Sequence, residues 1–211
     1  MFEFLKGLGG VYPDYDSIRV NTQGWQQVES PQAKAGPLWK TQDGDGVGLE
    51  ILRRRPKLPQ SMDLYGYRNL FLQTMQSSGG IPVELGSLEV SQCPAIRFLY
   101  KIPQAAGGMA YCGTLTLPFR RFSFLFEVHC GDHGSSEARD ASLAERGVTL
   151  AERKAREWPP APKTPQADMA QFDAEFPASP VARLRRILTR IADSAVIEAR
   201  IACLPTCELP G

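Results

Sequence analysis

The stretch that decides the fold covers residues 81–130 and has the sequence IPVELGSLEV SQCPAIRFLY KIPQAAGGMA YCGTLTLPFR RFSFLFEVHC. Near its end, Phe122, Phe124, Phe126 and Val128 alternate with Ser, Leu, Glu and His. A period of two is typical of a strand that buries one face. We predict four strands, at 83–90, 95–102, 110–117 and 122–130. Because short turns connect them, the pattern favours an antiparallel sheet.

Upstream of this stretch, Asp43-Gly44-Asp45-Gly46 separates two apolar runs at 37–39 and 47–52. Gly after Asp supplies the positive φ of a tight turn, so this segment predicts a β-hairpin. Apolar residues at helical spacing predict a helix over 61–78, and a charged helix is predicted over 135–146, capped by a serine. The predicted fold class is therefore α+β, with an antiparallel sheet of about five to seven strands packed by helices.

The last quarter of the chain has a different composition. A proline-rich segment, WPPAPKTP, covers residues 158–165 and indicates an extended linker or brace. Ser179-Pro180 then begins an amphipathic helix that we expect to end before Pro205. We therefore divide the chain into a sheet domain (1–150), a linker or brace (151–178) and a C-terminal helix and tail (179–211) that docks on the same domain.

Composition excludes some classes of function. The formal net charge of the 211 residues is +1, which gives no global attraction to nucleic acid or anionic lipid. No run approaches the roughly 18 apolar residues of a membrane helix, and the N-terminal residues lack the layout of a signal peptide. The five cysteines are an odd number without framework spacing, so we expect reduced thiols and a cytoplasmic location.

The densest group of reactive side chains is His129-Cys130-Gly131-Asp132-His133. Cys and His this close can ligate a metal or act as nucleophile and base. A zinc site needs about four ligands in a recognised spacing, which this segment lacks, so a strand that ends in a polar turn is the favoured interpretation. Neither a metal nor a cofactor is predicted. The alternative site that we retain consists of His129, Cys130, Asp132, His133 and Arg139.

Cys112 and Cys130 are predicted on neighbouring strands, where they are either within disulfide reach or, as we favour, small buried thiols. Glu137, Arg139 and Asp140 lie near the start of the charged helix. A ligand-binding arginine–carboxylate pair is one interpretation of them, and ion pairs on a surface helix are the favoured one.

Three arginines of the last predicted helix, Arg183, Arg186 and Arg190, are spaced at i, i+3 and i+7 and so share one face. Such a stripe binds an acidic partner or lipid headgroups, or forms the solvated side of an amphipathic helix. These three are our candidate partner-binding residues.

The order of hairpin, helix, antiparallel strands and helix over residues 15–150 resembles the Mog1/PsbP-type α/β/α sandwich. The segments 134–140, 158–159, 172–177 and 179–183 are in turn similar to the C-terminal half of uncharacterised bacterial proteins. Members of the Mog1/PsbP-type group mostly bind protein partners, so the resemblance implies a binding module. It implies no catalytic residues.

The sequence contains no GxGxxG, GxxxxGK[ST] or GxSxG motif. We therefore predict a non-enzymatic cytoplasmic protein-binding module, such as an adaptor or a chaperone-like accessory protein. One alternative is an enzyme or a small-ligand or metal-binding domain that uses the cluster at 129–133. Another is a homodimer formed through a sheet edge or the last helix.

Overall fold

The structure is a computed structural model that describes residues 12–29, 36–53, 79–104, 108–132, 134–148 and 168–207. The helix predicted at 61–78 and the proline-rich segment at 158–165 lie outside these ranges. The division of the chain at residues 150 and 178 stays a prediction.

The central element is a seven-stranded sheet in which every neighbouring pair is antiparallel. Its strand order is β2-β3-β4-β8-β7-β6-β5. The strands are β2 (Gln26–Val28), β3 (Leu38–Lys40), β4 (Gly46–Leu52), β5 (Ile81–Val90), β6 (Cys93–Pro103), β7 (Met109–Pro118) and β8 (Ser123–Cys130). The predicted α+β class and the predicted number of strands are confirmed.

Tight turns join β3 to β4 and β5 to β6. In the β3–β4 hairpin, the amide of Thr41 donates to the carbonyl oxygen of Asp45 at 2.8 Å, and Gly44 has φ of 85°. Ser91 and Gln92 join β5 to β6 with φ of 50° and 64°, which is the backbone of a two-residue type I′ turn. The left-handed backbone that glycine favours is thus used in the first turn and accepted by two polar residues in the second.

One face of the sheet is covered by the helix Pro180–Ser194, here called α2 because the helix Ser135–Glu145 (α1) precedes it. Leu184 and Leu188 of α2 are fully buried against β7. Gly113 of β7 permits this close approach, because a Cβ at that position would lie 2.8 Å from Leu188 Cδ1 and 2.9 Å from Leu184 Cδ1. The apolar side of β8 faces the same core through Phe124, Phe126 and Val128.

As expected, α2 ends before Pro205. Ala195 has ψ of 128°, so the helix stops at Ser194. The next residues, β9 (Val196–Ile197), pair with β1 (Ile18–Arg19) in a second, two-stranded sheet, and a short helix α3 (Ala199–Ala202) follows. Val196 and Ile197 are both β-branched and favour the extended backbone, which explains why the helix ends just before them.

The predicted serine cap of α1 is wrong. Asp132 Oδ1 accepts hydrogen bonds from the amides of Gly134 and Ser136 at 3.0 and 3.2 Å, so a carboxylate before the helix satisfies its first donors. Within the described ranges, no helix combines the length and the apolar character that crossing a bilayer requires.

Candidate functional site

The first turn of α2 begins where the Ser179-Pro180 pair predicted. Pro180 is the first helical residue, but the Ser179 side chain makes no capping hydrogen bond. Its Oγ instead accepts a hydrogen bond of 2.7 Å from Arg139 Nη1 of α1. The serine therefore connects the two helices as well as opening the second one.

Arg139 itself is only 2% exposed, which corrects our expectation of an ion pair on a surface helix. Besides Ser179, its guanidinium reaches the Met169 carbonyl at 3.3 Å and lies over the Phe176 ring at 5.9 Å from its centroid. Burial lowers the pKa of Arg139, although nearby Asp173 acts in the opposite direction. A buried guanidinium with these contacts holds α1 against the segment that leads into α2.

Arg183 is also turned inward. Its guanidinium forms a two-pronged pair with Asp45, with Nε–Oδ2 and Nη2–Oδ1 distances of 2.9 and 3.0 Å. It also donates to the carbonyl oxygens of Gly131 and Ala178. Burial lowers the pKa of Arg183, but the hydrogen bonds and charge of Asp45 outweigh that effect, so the pKa is raised overall. Of the three candidate partner-binding arginines, this one connects α2 to the β3–β4 hairpin and to the end of β8.

Arg185 connects the opposite flank of α2 to the far side of the sheet. Its Nε donates to Glu84 Oε2 of β5 at 2.9 Å, and its Nη1 lies 2.8 and 3.0 Å from the two carboxylate oxygens of Asp173. Glu84 also accepts a hydrogen bond from Arg97 of β6. Arg183 and Arg185 thus hold the two flanks of one helix to opposite halves of the sheet.

The other two candidate arginines lie at the surface. Arg186 is paired with Asp43 at 3.4 Å, and both side chains are more than half exposed. The guanidinium carbon of Arg190 lies 4.9 Å from the centroid of a Trp25 ring, while its Nη2 donates to Asn21 Oδ1 at 3.0 Å. Trp25 is half-buried and also meets the Trp39 ring, so the aromatic surface under Arg190 is firmly placed.

These surface residues line two open clefts on either side of α2. The Trp25 cleft, about 340 Å³, is lined by Gln23, Gly24, Trp25, Thr41, Gln42, Asp43, Arg186, Ile187 and Arg190. The Glu84 cleft, about 520 Å³, is lined by Glu84, Arg97, Ala170, Asp173, Ala174, Ala182, Arg185, Arg186 and Thr189. Arg186 belongs to both, so it forms the crest between them.

The described members of the cluster predicted around His129 have separate surroundings. His129 and Cys130 are consecutive residues of β8 and point to opposite faces of the sheet. Asp132 is engaged by the amides that begin α1, and Arg139 is bound to Ser179. His133 lies outside the described residues, so the five-residue site stays a prediction. In the part of the chain that the structure describes, no group of three or more metal-ligating side chains comes together.

Cys112 and Cys130 do lie on adjacent strands, but they are not opposite each other in the pairing of β7 with β8. Cys112 is opposite His129 and Cys130 is opposite Tyr111, so the two thiols lie on different faces, and both are free. Cys112 Sγ is 3.3 Å from His129 Nδ1. Burial raises the pKa of Cys112 to about 11 and also raises that of Cys130, so both are protonated, weakly nucleophilic thiols at neutral pH.

Sequence reasoning missed four residues of this region: Trp25, Asp45, Glu84 and Asp173. Asp45 was assigned to a turn, because the Asp-Gly-Asp-Gly pattern indicates a turn and gives no sign of a buried carboxylate. The only available signal was the excess of arginine on α2, since buried arginines require acidic partners. That signal predicts that such partners exist without identifying them.

No protein-family model matches the chain, and no curated protein is similar to it in sequence. Among solved structures it is similar to the Ran-binding protein Mog1p of Saccharomyces cerevisiae, with 10% identity and a TM-score of 0.47 over 86% of this chain and 90% of that one. It is also similar to the PsbP protein (CyanoP) of Synechocystis sp. PCC 6803, with 11% identity and a TM-score of 0.42 over 64% and 91%.

A third similar structure is a protein of unknown function from Pseudomonas aeruginosa, with 10% identity and a TM-score of 0.36 over 69% of this chain and 88% of that one. Mog1 and PsbP are the two proteins whose type of sandwich the order of elements indicated. The likeness concerns the fold alone.

Proposed function

We propose that this chain is a non-enzymatic, cytoplasmic protein-binding module. Its contact surface is the outer side of α2, which we define by Arg186, Arg190, Trp25 and Asp43. Arg183 is a positioning residue, because its pair with Asp45 holds in place the helix that presents the other two arginines. The observation that carries the proposal is the Arg190 guanidinium laid over the Trp25 ring beside the exposed Arg186.

This combination has the chemistry of a protein contact. Tryptophan and arginine are the residue types that most often dominate the free energy of protein–protein binding. Here both are held in place before a partner arrives, Arg190 by Asn21 and the Gln23 carbonyl and Trp25 by Trp39. Preorganised side chains lose less conformational entropy on binding, which favours affinity. The clefts beside α2 are open to solvent, which allows a polypeptide segment to lie across them.

A pull-down from the native cell lysate tests this proposal with three full-length chains. These are the wild type, the double variant Arg186→Gln/Arg190→Gln and the control Arg146→Gln. Arg146 is a matched control, because it is about half exposed, pairs with the exposed Glu175 and lies over the Phe172 ring. We expect a protein that is retained by the wild type and by the control and lost by the double variant. Retention of the same proteins by all three chains, or of none by the wild type, would contradict the proposal.

A further inference from the structure

We propose that the partner segment is acidic and extended, and that it crosses α2 at Arg186 with a carboxylate side chain in each of the two clefts. The inference rests on the proposed function and adds the chemistry of the partner. It comes from the balance of charges and hydrogen-bond donors in the two clefts.

Taken together, the two clefts have an excess of positive charge in their described lining. Arg186 belongs to both clefts, so together they are lined by four arginines (Arg97, Arg185, Arg186 and Arg190) and three carboxylates, which leaves one positive charge uncompensated. Clefts of one sign raise the local concentration of ligands of the opposite sign.

The acceptors in the Glu84 cleft are already used. Glu84 binds Arg97 with one carboxylate oxygen and Arg185 with the other, and Asp173 binds Arg185 with both. By contrast, the Arg97 Nε is buried and finds no hydrogen-bond acceptor in the described part of the chain. The cleft therefore has a spare donor, which a carboxylate complements.

Arg186 joins the two clefts into one binding surface. It lines both of them, and its side chain is 55% exposed. Its neighbour Asp43 is 57% exposed, so the existing ion pair is weak and an incoming carboxylate can replace it. An extended segment presents alternate side chains on the same side, which allows two acidic residues to enter the clefts on either side of this crest.

The test uses fluorescein-labelled poly-glutamate and poly-glutamine peptides of equal length, with binding followed by fluorescence anisotropy. We expect the wild type to bind poly-glutamate, more weakly as salt is raised, and to ignore poly-glutamine. Arg186→Gln should weaken binding about two- to fivefold. Arg97→Lys keeps the charge but removes the Nε donor, and should weaken binding about tenfold. Arg146→Gln should bind like the wild type.

Several results would overturn the inference. The first is equal binding of poly-glutamate and poly-glutamine. The second is a loss of poly-glutamate affinity in Arg146→Gln as large as that in Arg186→Gln. The third is a poly-thymidine oligonucleotide that binds as tightly as poly-glutamate. If Arg97→Lys is folded, as judged by circular dichroism, and binds poly-glutamate with unchanged affinity, the Glu84 cleft is not part of the binding surface and the inference fails there. Loss of the lysate partner in the double variant without any poly-glutamate binding overturns the acidic chemistry and leaves the proposed function standing. Binding of poly-glutamate by the wild type without any lysate partner contradicts the proposed function and leaves the acidic chemistry of the surface standing.

Discussion

Helix α2 carries two pairs of arginines with opposite surroundings. Arg183 and Arg185 are 5% and 8% exposed, and carboxylates from the β3–β4 turn and from β5 hold them. Arg186 and Arg190 lie at the surface, where they meet an exposed aspartate and a tryptophan ring. The four residues are of one type within eight positions of one helix, and Arg183 and Arg190 even share one helix face, so their different roles come from what the fold places against each of them.

This contrast shows how a helix can be both fixed and available. The buried pair determines where α2 lies on the sheet, and the surface pair, the exposed Arg186 and the half-buried Arg190, determines what α2 presents to solvent. Removing a buried partner should therefore destabilise the fold, while changing an exposed arginine should alter binding with little effect on stability.

The largest expected effect comes from the buried pair. Asp45→Ala leaves the Arg183 guanidinium buried without its carboxylate, which should lower the free energy of unfolding by about 3–5 kcal/mol. Urea denaturation measures this loss. Arg200→Ala, which removes an exposed pair with Glu198, should cost less than about 1 kcal/mol. The double variant Asp45→Leu/Arg183→Met should recover part of the loss, and a cost of Asp45→Ala no larger than that of Arg200→Ala would show that the pair does not hold α2.

A pH dependence follows from the buried thiol of Cys112. Its pKa is raised from 9.0 to about 11 in the folded chain, so unfolding makes the thiol a stronger acid. The stabilisation is fully present below pH 9.0 and is lost as the pH rises towards about 11, with a total of roughly 2–3 kcal/mol. The free energy of unfolding, measured by urea denaturation at several pH values in this range, should fall less steeply with pH for Cys112→Val than for the wild type. The same dependence of the free energy of unfolding on pH in both chains would mean that the Cys112 thiol does not contribute to it.

The contact between α2 and β7 gives the next effect. Gly113→Ala places a methyl group 2.8 Å from Leu188 Cδ1, so the free energy of unfolding should fall by about 1–3 kcal/mol. Gly86→Ala is the matched control, because a Cβ there meets nothing within 4 Å on β5. Thermal unfolding of both variants compares the two positions. Equal melting temperatures would show that α2 lies less closely on β7 than the structure indicates.

The smallest effect on stability concerns the exposed pair. Arg190→Met removes the cation above Trp25 and should cost about 0.5–1 kcal/mol while changing the indole fluorescence. Arg146→Met removes a similar contact, 5.8 Å from the Phe172 ring centroid, and serves as the control for general surface effects. An unchanged tryptophan emission in Arg190→Met would contradict the stacking and weaken the case for this surface.

Sequence reasoning was strongest where the signal is local. The alternation in β8 predicted its buried side correctly, because successive residues of a strand point to opposite faces. The Asp-Gly-Asp-Gly turn and the start of α2 at Pro180 were also predicted, since both depend on the backbone preferences of neighbouring residues. The sequence limited the end of α2 only to a point before Pro205, because the residue at which it ends depends on pairing between β9 and β1, which are far apart along the chain.

The candidate site was predicted only in part, and for the same reason. The arginine stripe named two residues that lie at the surface, Arg186 and Arg190, but it gave no indication that Trp25 lies beside them. Arg139 was interpreted as a surface residue, although its buried contacts come from a segment about 40 residues later. Contacts between distant segments leave no periodic pattern in a sequence, so pattern analysis cannot assign them.

By itself, the sequence determined the α+β class, the antiparallel strands, the hairpin and the amphipathic helix, because each depends on residues close together along the chain. Only the tertiary structure decided which arginine is buried and which is presented. Arg183 is buried because Asp45, 138 residues away along the chain, meets it with both carboxylate oxygens. A charged side chain leaves water only where the fold brings an opposite charge to it, and that meeting is a property of the folded chain.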